Sequence, residues 1–116
     1  MNQYEIQQAI EVELERMEEL VDTLRGAGVD QSRAEVDYKV NYAKERLRAR
    51  AAGSVDGVRV TQDHADDLAT VATEDDFHAR LLTTNNLMTL KEALHASKTH
   101  LEALRTLAAS YRNATP

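Results

Sequence analysis

The sequence predicts an all-α protein of long antiparallel helices with coiled-coil-like packing, interrupted by one short loop or ribbon at about residues 53–61. Three observations carry that prediction. Apolar residues recur at alternating three- and four-residue steps through both the first 25 residues and the last third, as helices packing along a seam require. Helix breakers are confined to Gly26, Gly28, Gly53, Gly57 and Pro116. Aromatics are few, with four Tyr, one Phe and no Trp, so the apolar residues are mostly Leu, Ala and Val. With 116 residues the chain is expected to form a single helical domain, 1–116, with a modest core that self-association would enlarge. A homo-oligomer is therefore expected.

The first helix is expected over residues 1–25. Ile10, Leu14, Met17, Val21 and Leu24 form its apolar line, and Glu11, Glu15, Glu18 and Asp22 form an acidic line one position further round. Gly26-Ala27-Gly28 should end it, because glycine weakens helix interiors and suits the residue just past a helix. Ser32 and Glu35 have capping-box spacing, which predicts a second helix over residues 32–52. At about 100° per residue, Val36, Val40, Ala43 and Leu47 share one side and read as the buried stripe. Lys39, Arg46 and Arg50 follow one edge of that stripe beside Tyr42, and Lys44 and Arg48 follow the other.

Within 53–61, Asp56-Gly57 stands between short β-prone pairs, a tight-turn signal compatible with a two-stranded ribbon whose tip carries Arg59. That loop is either a connector or a contact point. Helix resumes at about Gln62 behind Thr61 or Asp63 as a cap, and the acids of Thr73-Glu74-Asp75-Asp76 mark a second start, with a kink or short break near Thr73. The last helix, ending near 112, carries the longest seam: Leu87, Leu90, Leu94, Ser97, Leu101, Leu104, Ala108 and Tyr111. Beside the seam runs a basic line, Lys91, Lys98, Arg105 and Arg112, at seven-residue intervals. Its obvious partner is the acidic line of the first helix, in the same chain or a neighbouring one. The polar patch Thr83-Thr84-Asn85-Asn86 interrupts the seam as a bend, a polar layer or an exposed turn.

Charge is distributed in blocks. Residues 1–30 hold two bases against eight acids, 31–60 seven against four, 61–82 one against six, and 83–116 four against two, within a total of −6. Such blocks either pair with one another as the helices fold or leave the basic ones to hold phosphates, with Tyr38 or Tyr42 as a platform for a base. No phosphate loop, nucleophile elbow or Ser/His/Asp arrangement is present, so an enzyme is not expected. His95 and His100 are five apart, which does not bring two metal ligands to one helical face. Asp63, Asp66, Asp67, Glu74, Asp75 and Asp76 read as solvated acids rather than a magnesium cluster, and neither a metal nor a cofactor is expected. The absence of cysteine excludes disulfides and thiolate chemistry. Without a signal-like N-terminus or a spanning apolar run, a cytoplasmic protein with no membrane partner is expected.

The segment Asp37-Tyr38-Lys39-Val40-Asn41-Tyr42-Ala43-Lys44-Glu45-Arg46-Leu47-Arg48-Ala49-Arg50 resembles the basic region of the small helical recombination mediators of tailed phages, the UvsY type. Leu90-Lys91-Glu92-Ala93-Leu94 and Leu101-Glu102-Ala103-Leu104-Arg105 stand where that family has its long C-terminal helix, so the resemblance spans about residues 34–112. It implies a ring-like oligomer in the host-cell cytoplasm that binds single-stranded DNA and loads a recombinase onto strands covered by single-strand-binding protein. Lys44 and Arg46 match the family's motif and would contact phosphates. Helical geometry and proximity add Lys39, Arg48, Arg50 and Arg59, and Tyr42 is the candidate ring for a base to stack on.

Overall fold

The computed structural model describes residues 1–114. Its elements are α1 (Gln3–Ala52), β1 (Ser54–Val55), β2 (Val58–Arg59), α2 (Gln62–Ala72) and α3 (Glu74–Ala114). The all-α prediction with one small ribbon holds. The chain divides into two compact units, Met1–Ala27 with Asn86–Pro116, and Gly28–Asn85.

In the first unit, α1 and α3 run antiparallel: the Tyr111 hydroxyl donates to the Met1 carbonyl, while Glu13 meets Ser97 and His100. The α3 seam lies where the heptads put it, with Ser97, Leu101 and Leu104 buried and Leu87, Leu90, Leu94 and Ala108 half-buried. Tyr111 stands at its exposed end. The α1 line needs correction. Ile6, Ile10, Glu13, Met17, Leu20, Leu24 and Ala27 face inward, whereas Leu14 and Val21 are each 40% exposed. Ile10, Met17 and Leu24 can be joined by either intervening set, and the opposite helix chooses. Ser97 offers a small side chain and a hydroxyl, which suits a carboxylate, so Glu13 turns in at 4% exposure.

The predicted break at Gly26-Ala27-Gly28 is absent, and so is a helix start at Ser32: α1 is a single 50-residue helix. Both glycines are helical, and a Cβ at either would meet nothing within 4 Å. Their helix penalty of about 1 kcal/mol each is offset by the contacts of a long helix. The boundary between the two units nevertheless falls between Ala27 and Gly28 on α1 and between Asn85 and Asn86 on α3. The polar patch Thr83–Asn86 is ordinary helix, not an exposed turn outside it.

In the second unit, Ala65 and Ala69 of α2 and Thr73 at its end are the buried positions. Of the two caps the sequence offers, Thr61 and Asp63, it is Thr61 that caps α2, accepting the His64 N–H. The expected break near Thr73 is a single residue, whose hydroxyl donates to the Ala69 carbonyl at 2.7 Å. Asp56 (φ 54°) and Gly57 (φ 79°) form the left-handed pair of a hairpin turn, with Ser54 opposite Arg59 and Val55 opposite Val58. Here too one stripe is corrected. Ala34, Tyr38, Asn41, Tyr42, Glu45 and Ala49 take the inner side of α1, and Val36, Val40, Ala43 and Leu47 face outward. Polar matching explains the rotation: Asn41 donates to Asp76 at 2.9 Å, Arg46 to Asp66 at 2.5 Å, and Arg80 to Glu35 at 2.6 Å.

Candidate nucleic-acid interface

Because the Val36–Leu47 stripe faces solvent, the cations on its edges frame an open surface rather than an interhelical groove. Val36 is 57% and Leu47 67% exposed, large values for apolar residues on a helix with a packed side. Lys44 lies on one edge and Arg50 on the other, both exposed; Arg59 stands on β2, also exposed. Among the described residues, none of these three forms an ion pair. Lys39 and Arg48 are held loosely. Lys39 reaches Glu35 at 3.4 Å and Arg48 reaches Glu45 at 2.9 Å, each within one helical turn and with more than two thirds of its side chain exposed. Such pairs are worth about 0.2–1 kcal/mol and yield readily to a phosphate.

The other two candidates are engaged from within. The Arg46 Nε–Asp66 bond ties α1 to α2, with both side chains partly withdrawn from solvent. Tyr42 is half-buried, its ring centroid 6.0 Å from that of Tyr38. Tyr38 in turn packs 5.8 Å from Phe77 and carries the Arg80 guanidinium 5.2 Å from its centroid. Arg80 bonds Glu35 and so holds that carboxylate below its usual range, with Lys39 adding to the effect. Tyr38 and Phe77 thus pack α1 against α3, with Tyr42 beside Tyr38 on α1.

Arg33 was not among the sequence candidates. It is exposed, makes no ion pair among the described residues, and precedes Lys44 by eleven residues, close to three full turns. That spacing is the signal that finds it. Of the six acids read as a solvated surface, two are taken up within the fold, Asp66 by Arg46 and Asp76 by Asn41. Among the described residues no three His, Asp or Glu side chains converge as a metal site, and no described helix is long and apolar enough to cross a membrane.

On the first unit, the expected pairing of the Glu11, Glu15, Glu18 and Asp22 line with the Lys91, Lys98, Arg105 and Arg112 line does not occur within the described chain. Asp22 pairs only with Arg25, at 3.9 Å. Among the described residues, the one carboxylate of α1 that α3 binds in this unit is Glu13, through Ser97 and His100. Compared with known proteins, the sequence matches no family model, no curated protein and no solved structure.

Proposed function

We propose that the chain is a single-stranded-DNA-binding accessory protein of the recombination-mediator type, contacting the strand along the outward side of α1 in the second unit. The observation that carries this reading is the set of cations without carboxylate partners among the described residues, Lys44 and Arg50 on the two edges of an exposed apolar stripe of α1 and Arg59 on β2. A flexible strand needs both: cations take its phosphates, and apolar surface takes the faces of unstacked bases. Lys39 and Arg48 join by exchanging weak intrahelical partners for phosphate. Arg46 serves instead as the brace that keeps α1 and α2 together. The UvsY-type resemblance supplies the remaining roles, a recombinase and single-strand-binding protein as partners.

The test is fluorescence anisotropy of a labelled oligo-dT. Five phosphate contacts give a salt slope of about −3.5, so affinity should drop on the order of 100-fold between about 50 and about 200 mM salt. Absence of binding at the lower salt, from folded protein, refutes the proposal. A second reading, a helical assembly protein without a nucleic-acid partner, is favoured by the Arg46–Asp66 and Arg80–Glu35 bonds, which show basic side chains serving the fold.

A further inference from the structure

We propose that the first unit carries a self-complementary face on which a second copy of this chain docks, α1 of each copy against α3 of the other. Leu14, Met17, Glu18, Val21 and Asp22 of α1 line a shallow depression with an apolar floor and an acidic rim. Leu14 and Val21 are exposed although they belong to a heptad line, and Glu11, Glu15 and Glu18 beside them have no cation partner among the described residues. On α3, Lys91, Lys98 and Arg105 are exposed and likewise without a carboxylate. Both lines have a seven-residue repeat, so each continues along one side of its helix.

A cleft fixes that side as the same one. Gln3, Ile6, Gln7 and Ile10 of α1 and Arg105, Ala108 and Arg112 of α3 line it together. Gln7, Leu14 and Val21 are heptad-spaced on α1, and Arg105 continues the Lys91–Lys98 line on α3, so both lines leave the cleft along one face. The reverse face holds Glu13, Arg16, Ser97 and His100, where the carboxylate is already bound internally. On that face the buried carboxylate is already bound, whereas the other presents an anionic edge and a cationic edge side by side.

A two-fold axis parallel to the helices lays the anionic edge of each copy on the cationic edge of the other, twice over, in a closed four-helix arrangement of antiparallel neighbours. The chemistry of the contact suits lysine and arginine. Their aliphatic stems cover Leu14 and Val21 while their heads reach Glu11 and Glu18. A nucleic acid would match only the cationic edge and be repelled by the other.

The experiment is sedimentation velocity of the full chain over a concentration series. A reversible dimer is expected for the native sequence. Lys98→Glu with Arg105→Glu should raise its dissociation constant about tenfold or more, because attraction becomes repulsion across both contacts. Glu11→Lys with Glu18→Lys should do the same, and mixing the two variants should restore a heterodimer. Helicity by circular dichroism must remain native in both, which these exposed positions allow. The proposal is overturned if the native chain stays monomeric, if the variants associate as it does, or if mixing gives no heterodimer. It fails equally if Lys98→Glu with Arg105→Glu weakens oligo-dT binding while leaving the mass unchanged. Loss of DNA binding by substitutions in the second unit, with the dimer intact, would bear on the DNA reading alone.

Discussion

Replacing Glu13 probes the first unit at its most constrained point. Its carboxylate sits in the seam, accepts the Ser97 hydroxyl on one oxygen and lies 2.9 Å from His100 Nδ1 on the other. The Ser97 hydrogen bond, then that from His100, hold the carboxyl below its ordinary value of 4.5, against burial, which pushes the other way. Glu13→Ala removes the acceptor, leaves the buried Ser97 hydroxyl to its own helix and opens a gap between Ile10 and Met17. Loss of a hydrogen bond to a charged group costs about 1.5–3 kcal/mol. For a chain of this size that lowers the melting temperature by roughly 6–15 °C. Thermal and urea unfolding followed by circular dichroism at neutral pH reads it. The sign with pH follows from the depressed value. Stability from Glu13 is fully present above about 4.5 and is lost as pH falls through the lower folded-state value, so the native chain and Glu13→Ala should converge in acid. Glu35 shares that direction and remains in both proteins, which leaves the difference between them to Glu13. Glu13→Leu with Ser97→Ala exchanges the polar pair for apolar packing and should recover most of the loss. A neutral Glu13→Ala, or a loss that persists unchanged in acid, would refute this account of the seam.

Two further outcomes test the helix assignments. Gly26→Ala and Gly28→Ala should each stabilise the chain by about 0.5–1 kcal/mol, since both positions are helical and open; a loss in urea titration would mean that the chain needs glycine there. Thr61→Ala should cost about 1 kcal/mol and accelerate amide exchange in α2, whose first turn loses its cap; unchanged exchange would contradict the capping role.

The heptads of the last helix are legible because its large apolar residues from Leu87 to Leu104 fall on one line, with Met88 off it. On α1 two lines were open, and the wrong one was more apolar. Leu14 and Val21 outrank Glu13 on any hydropathy scale, and only the opposing Ser97, 84 residues away, decides for the carboxylate. The same holds for Val36, Val40 and Leu47, whose outward position depends on Asp66, Asp76 and Arg80 satisfying the polar residues of the other side. Gly26 and Gly28 lower local helix propensity, but the contacts of a long helix carry α1 through them. The turn at Asp56-Gly57 is legible in the sequence and the cap is narrowed there to Thr61 or Asp63, because both are local signals with local causes. In the candidate interface, the two flanks of cations were visible from helical geometry, but which of them Asp66 would occupy was not.

On the proposed reading, the outward cations without a carboxylate among the described residues hold the strand, and the braced Arg46 does not. The most direct measurement is the slope of log affinity for oligo-dT against log salt for three proteins: the native chain, Arg46→Ala, and the triple variant Lys44→Ala, Arg50→Ala, Arg59→Ala. The triple variant should lose about 2 from the magnitude of the slope, and Arg46→Ala should keep the native slope while unfolding at lower urea. A native slope in the triple variant, or a lowered slope in Arg46→Ala alone, would contradict the account.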